Sequence, residues 1–167
     1  MTYAPPLLRL AGVAYYVSLI AVWLTLAASP HDSHLLATFA LDSNIIRILD
    51  HRQPGQALLE LHGHSAPVNC IEWSPSRRGM LASGADDSQV LYWDLINSQN
   101  AATISTNNGT QMGQPETIGA NIKGPAASWR CEYEVGNISW SPSSQLTNQG
   151  GDWLGVTGGR AVWGVKV

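Results

Sequence analysis

The chain has 167 residues, room for one ordinary domain with a sizeable core, and carries a formal net charge of −3 with a pI near 5.9. That balance leaves no basic footprint for direct binding of nucleic acid. Charged side chains make up only 13% of the sequence, and two cysteines, Cys70 and Cys131, form neither a disulfide framework nor a Cys-x-x-Cys motif, so they read as reduced thiols of an intracellular protein.

In chain order, residues 1–11 read as the start of a β-strand, and RLAGVAYYVSLIAVWLTLAAS (9–29) follows. Leu10 to Ala28 is a nineteen-residue uncharged run, near the length that spans a bilayer. Arg9, the apolar core and Leu26-Ala27-Ala28 also imitate a signal peptide with its small-residue cleavage site. A third reading treats residues 12–27 as a translated intron or an equivalent insertion. Deleting these sixteen residues joins Leu7–Ala11 to Ala28, and LLRLAASP then stands against VNCIEWSP (68–75) without a gap. The closure of the two flanks into one strand favours this third reading over a membrane or signal segment.

From Leu35 the text becomes short apolar runs between turn residues: LLATFALD (35–42), IIRILD (45–50), QALLEL (56–61), VNCIEW (68–73), GMLASGA (79–85) and QVLYWDL (89–95). Val, Ile, Leu, Tyr and Trp fill the runs, while Gly, Pro, Asp, Asn and Ser bound them, which predicts strands. No sustained 3.6-residue apolar stripe follows, so the fold class is all-β. Residues 97–130 hold three charged side chains and few large apolar ones, which predicts a disordered polar loop. Its sequon Asn108-Gly109-Thr110 matters only if the chain enters the secretory route. VGNISWSPSS (135–144) and DWLGVTGGRAVWGVKV (152–167) return to strands.

The runs repeat. LLATFALDSNIIRILD (35–50) aligns with MLASGADDSQVLYWDL (80–95): Asp42-Ser43 matches Asp87-Ser88 at an offset of 45, and Leu49-Asp50 matches Trp93-Asp94 at 44. A weaker third copy sets ISWSP (138–142) against IEWSP (71–75), and VTGGRAVWGV (156–165) against the Trp-Asp end of the middle copy. Here Thr157 aligns with Asp87, Gly164 with Asp94, and Trp163 is kept. Trp73, Trp140 and Trp163 read as core residues of strands. A unit of about 45 residues and four strands is the period of a WD40 blade.

The middle copy has Gly63-His64 before its first strand, Ser83 in its second, Asp87 in the tight turn and Trp93-Asp94 closing the third. At these residues the sequence resembles the WD40 family. The resemblance implies a buried hydrogen-bonded chain of His64, Ser83, Asp87 and Trp93 that fixes how strands and loops meet. Ser83, His64 and Asp87 are also the ingredients of a hydrolase, but Ser83 lies inside an apolar strand with no Gly-x-Ser-x-Gly elbow. His62-x-His64 has no cysteine or carboxylate at zinc-site spacing, so no metal and no cofactor are expected.

The run CIEWSPSRRGMLASGADDSQVLYWDL (70–95), with LATFALDSNIIRILDHRQP (36–54) before it, further resembles one adaptor family, that of the plant Transparent Testa Glabra regulator and its animal and fungal relatives. Residues 97–130 depart from the animal and plant pattern and suggest a fungal member. What this resemblance implies is a partial WD40 β-propeller of two to three four-stranded blades. Residues 28–96 would give two blades and 131–167 a degenerate C-terminal one, the whole being a C-terminal fragment with exposed sheet edges. The implied function is a non-catalytic scaffold in cytoplasm and nucleus, whose partners are kinases, transcription factors or cullin-4 ligase components. Propellers bind partners with rim loops, which nominates His62, Ser65, Arg77, Arg78 and the 97–130 loop. The alternative is a membrane-anchored or secreted β-protein, with membrane contact only if residues 10–28 belong to the mature chain.

Overall fold

A computed structural model describes residues 23–97, 121–142 and 152–167, which form twelve strands. The first sheet runs β1 (Trp23–Ala28), β2 (Leu35–Ala40), β3 (Ile45–Asp50) and β4 (Leu59–His62), all antiparallel, with β8 (Asn121–Lys123) added beside β4. The second is β5 (Val68–Trp73), β6 (Met80–Ala85), β7 (Gln89–Asp94) and β9 (Ala127–Arg130). The third is β10 (Val135–Trp140), β11 (Trp153–Gly158) and β12 (Ala161–Lys166). The fold is all-β, three consecutive blade-like sheets, with no helix among the described residues.

Two apolar seams hold the blades together. In the first, Ala37, Phe39, Ile46, Ile48 and Leu61 of blade 1 meet Ile71, Trp73, Leu81, Leu91 and Trp93 of blade 2. In the second, Cys70, Ala82, Val90 and Tyr92 on the opposite face of blade 2 meet Val135, Ile138, Trp140, Leu154 and Val156 of blade 3. Successive strand residues point to opposite faces, so a sheet covered on both sides must be apolar at every position. Leu81 through Ala85 in β6 are accordingly all buried, while β3 alternates buried with half-buried residues and β12 alternates half-buried with exposed ones. On the open face of blade 1 Leu26 is 58% exposed, and on that of blade 3 Val162 is 76% exposed. The second seam is tight enough to demand a glycine: a Cβ on Gly84 would stand 2.3 Å from the Val135 side chain.

The turn linking the second and third strands sets the repeat length. Blade 1 uses Leu41–Asn44 and blade 2 uses Asp86–Ser88, one residue fewer, which accounts for the change of offset from 45 to 44 along the repeat. Left-handed backbone falls at Asp42, Ser88 and Gly159, with φ of 57°, 62° and 55°, residue types among those that turns favour.

Three expected boundaries move. The opening strand of blade 1 is built from Trp23–Ala28, inside the apolar run, rather than from Leu7–Ala11 joined to Ala28. An apolar run of β-compatible residues ending at Ser29-Pro30 fills the register against β2, from Thr25 opposite Phe39 to Ala28 opposite Leu36. Residues 1–22 lie outside the described residues. The polar segment expected over 97–130 also ends early, since Asn121–Lys123 and Ala127–Arg130 are strands. Short runs around Ile122 and Trp129 pair with open edges of existing sheets, and a sheet edge accepts an extended segment with little side-chain burial. Residues 98–120, with the sequon, are outside the described set. Finally, the third copy aligns differently. Its turn is Gly159-Arg160, so Thr157 sits within β11 opposite Val162, and Trp163 sits opposite Val156. The position matching Trp93, opposite the second residue of the preceding strand, is Val165 opposite Leu154.

Candidate functional site

The centre of blade 2 holds a chain of four polar side chains drawn from four places. His64 sits in the link from β4 to β5, where the Asn44 side chain donates to its carbonyl at 3.0 Å. Ser83 is fully buried in the middle of β6, Asp87 lies in the β6–β7 turn, and Trp93 is fully buried near the end of β7. The Trp93 indole N–H donates to Ser83 Oγ at 2.8 Å, Ser83 Oγ lies 2.8 Å from His64 Nε2, and His64 Nδ1 lies 3.0 Å from Asp87 Oδ2. One proton arrangement satisfies every atom: Nδ1–H donates to the carboxylate, Nε2 accepts the serine proton, and the serine oxygen accepts the indole proton. Asp87 also receives the backbone N–H groups of Ser65 at 2.8 Å and Gln89 at 3.1 Å.

The electrostatics agree with that arrangement. Burial pushes the His64 pKa below its ordinary value against the attraction of Asp87, which keeps the imidazole neutral near pH 7. Burial works to raise the Asp87 pKa, but the Ser65 N–H and His64 outweigh it and hold the carboxyl below its usual range. The order Ser–His–Asp is that of a hydrolase triad. However, Ser83 has no exposed surface, and its oxygen is closed in by the indole on one side and the imidazole on the other.

The tryptophans of the two Trp-Ser-Pro turns form a second, repeated arrangement that the sequence reading assigns simply to the core. Trp73 Nε1 donates to the Ala27 carbonyl of blade 1 at 2.9 Å, and Trp140 Nε1 donates to the Glu72 carbonyl of blade 2 at 3.2 Å. Ala27 and Glu72 occupy the same place in their strands, one residue before the position of the next Trp, so each tryptophan reaches back to the same atom of the preceding blade. The Glu72 carboxylate accepts the backbone N–H of Trp140 at 2.9 Å, and burial pushes its pKa up. The recurrence of W-S-P in the sequence is the signal from which these links could be found.

The four residues nominated for partner contact do not come together. Antiparallel connection puts the turns alternately on two rims, with Ser65 and the adjacent end of β4 at His62 on one, and Arg77 and Arg78 on the other. His62 lies 3.4 Å from Glu60, and Ser65 belongs to the Asp87 surroundings. Arg77 and Arg78 face opposite ways: Arg78 pairs with Asp32 of blade 1 at 2.5 Å and Arg77 with Asp152 of blade 3 at 2.9 Å. Nothing in the spacing of these acids along the sequence marks them as partners of the arginines. Among the described residues no cluster of three His, Cys, Asp or Glu side chains could hold a metal ion.

Blades packed face to face around a His–Ser–Asp–Trp chain define a WD40 repeat protein. Residues 55–94, which take in β4 to β7 and the whole network, match the family model described as WD domain, G-beta repeat. A WD repeat-containing protein of Saccharomyces cerevisiae is 36% identical over 177 aligned residues, covering 86% of this chain and 32% of that protein. An uncharacterized WD repeat-containing protein of Schizosaccharomyces pombe is 33% identical, covering 86% of this chain and 37% of its own length. A DDB1- and CUL4-associated factor 7 homolog of Dictyostelium discoideum is 29% identical over 80% of this chain and 33% of that protein. The chain therefore spans about a third of the length of these curated relatives.

Proposed function

We propose that the chain acts as a non-catalytic protein-interaction scaffold, its three blades presenting rim turns to other proteins. The observation that carries this reading is the sealing of Ser83, since this serine, aligned with a histidine and a carboxylate, spends its oxygen on Trp93 and His64 inside the blade 1–blade 2 seam. WD40 repeat proteins generally serve as scaffolds, which supports the same reading. Within it, the rim bearing Ser65 and His62 is the partner-facing one, and Arg77 and Arg78 act as clasps between blades.

The finer assignment is to the Transparent Testa Glabra-like adaptors that join kinases, transcription factors and cullin-4 ligases in cytoplasm and nucleus. The support is the run 70–95 together with the likeness to a relative named as DDB1- and CUL4-associated. For a membrane-anchored form, residues 1–22 lie outside the described residues, and no helix among the described residues is long and apolar enough to cross a membrane. Two measurements test the proposal. Ser83→Ala lowers the melting temperature if the serine is structural, whereas an intact melt with loss of a hydrolytic activity would sink the scaffold reading. Purified chain mixed with DDB1 co-elutes on size exclusion if the cullin-4 assignment holds, and separate elution at tens of micromolar removes that assignment alone.

A further inference from the structure

The three blades are not tied together alike. The chain crosses from blade 1 to blade 2 between β4 and β5, returns to blade 1 between β7 and β8, and crosses again between β8 and β9. Blade 3 is reached once, through residues 131–134 between β9 and β10. Across the first seam the Val68 N–H also donates to the Ser43 carbonyl at 2.9 Å, whereas no backbone–backbone hydrogen bond among the described residues joins blade 2 to blade 3. Side chains make the polar links there. Asn69 Nδ2 donates to the Val135 carbonyl at 2.9 Å, Trp140 donates twice to Glu72, and Arg77 pairs with Asp152 near the surface.

The second seam also carries a cost that the first avoids. In the first, the enclosed polar chain gives each donor an acceptor. In the second, Tyr92 is 5% exposed, and its hydroxyl is the one buried side-chain polar atom without a hydrogen-bond partner among the described residues. Its ring meets Trp140 edge-on at 6.2 Å, so the hydroxyl has left water for an apolar contact. A buried polar group without a partner costs free energy that it recovers when the surface around it opens to water.

We propose that blades 1 and 2 form one unit and that blade 3 opens from it as a door, giving the chain a closed form and a minor open one. The Cys131 N–H still bonds blade 2, at the Ser88 carbonyl, which leaves residues 132–134 as the hinge. Opening uncovers Cys70 and Tyr92 on blade 2 and Trp140 and Val156 on blade 3, while the chain from Trp93 to Asp87 stays sealed in the first seam. Native proteins open in cooperative units of unequal stability. The blade with a single covalent tether and an unpaired hydroxyl in its interface is the unit that opens first. This opening does not depend on the scaffold reading, and a failure of the DDB1 experiment leaves it untouched.

Cys70 reports the opening. It is 8% exposed in the second seam, and burial pushes its thiol up to about 12, so a reagent that needs the thiolate reaches it only when the seam opens. The full chain is labelled with iodoacetamide at urea concentrations below the global transition, and peptide mass spectrometry separates Cys70 from Cys131. The Cys70 rate is expected to rise with urea, at a slope well below that of global unfolding, because only one seam is exposed. Tyr92→Phe, which removes the unpaired hydroxyl and keeps the ring, is expected to slow labelling at least about fivefold, the lower end of what such a group costs. A rate indifferent to urea would mark a local fluctuation of the thiol, and a slope equal to that of global unfolding would mean that the three blades open only together. Either result overturns the proposal, as does an unchanged rate in Tyr92→Phe.

Discussion

Blade 2 and blade 3 fold the same three inner strands from similar text, IEWSP and ISWSP opening both, yet they solve one buried position in opposite ways. In blade 2 the fourth residue of the second strand is Ser83, whose hydroxyl is fully paired by Trp93 and His64. In blade 3 the same place holds Val156, fully buried, and the tryptophan position is taken by Val165. Blade 1 offers a third answer, with Thr38 turning its hydroxyl onto the Thr25 carbonyl at 2.6 Å. A buried hydroxyl is tolerated when every partner is present and is otherwise replaced by an apolar side chain or turned onto a backbone carbonyl. The network is therefore a property of one seam, that between blades 1 and 2, and not of the repeat.

The largest expected effect breaks this contrast directly. Trp93→Ala empties the most enclosed large side chain of the first seam and removes the donor to Ser83, with an expected loss of about 3–5 kcal/mol. Val165→Ala, at the matching place in blade 3 where the residue is only half-buried, should cost about 1 kcal/mol. Urea denaturation of both variants measures the gap, and similar losses would mean that the two seams contribute alike.

The indole links should rank next. Trp73→Phe and Trp140→Phe keep most of the apolar area but remove the indole hydrogen bond to the Ala27 and Glu72 carbonyls, at an expected cost of about 0.5–1.5 kcal/mol each. Because both links serve the same structural place, their costs should agree within about 0.5 kcal/mol, and they should add, being in separate seams. A cost confined to Trp73 would show that the second seam relies on the Glu72 carboxylate instead.

Much of this was legible from residues alone, for physical reasons that differ by element. The runs of β6 and β7 are apolar without alternation because both their faces are covered, and such runs bounded by Gly and Asp announce strands unaided. Gly63-His64, Ser83, Asp87 and Trp93 were legible as a set through the resemblance to WD40 blades, and the donors and acceptors of these side chains are compatible with a closed proton chain. The third copy misled because a two-residue turn, Gly159-Arg160, shifts the register by one, and Trp163 then passes for the network tryptophan while it packs edge-on against Trp129 at 5.9 Å. The strands β8 and β9 were hidden because backbone pairing at a sheet edge leaves little trace in composition. The arginine pairs were hidden for a similar reason, since ion pairs between distant turns have no period.

Acid titration distinguishes the two seams with opposite signs. His64 in the first seam has a lowered pKa, so below its ordinary value of about 6.5 the unfolded chain binds a proton that the folded chain refuses, and stability falls as pH drops. Glu72 in the second seam has a raised pKa, so its contribution is complete below about 4.5 and is lost as pH rises through the folded value. Asp87, with a lowered pKa, acts only below about 3.8 and does not overlap. Between pH 6.5 and 5.5 the unsubstituted chain should lose up to about 1 kcal/mol through His64. Chemical denaturation across that range should give a flatter profile for His64→Gln, and above about pH 4.5 Glu72→Gln should remove the opposite slope that Glu72 supplies. A steeper profile for His64→Gln would mean that the imidazole is charged in the folded blade.

The smallest effect concerns the clasp on the rim opposite Ser65. Arg77 remains 48% exposed and its partner Asp152 23% exposed, so water and salt screen the pair, and Arg77→Gln should cost about 0.2–1 kcal/mol. Arg78 is the more exposed arginine, but the carboxylate it covers, Asp32, is only 9% exposed, and Arg78 holds its pKa below the usual range. Removing Arg78 strands a charge that water reaches poorly, so Arg78→Gln should cost more than Arg77→Gln although its own side chain is freer. Raising salt to about 1 M, where screening acts over roughly 3 Å, should shrink the Arg77 effect and leave most of the Arg78 effect. Equal salt sensitivity would place both pairs in water and leave the seams alone to join the three blades.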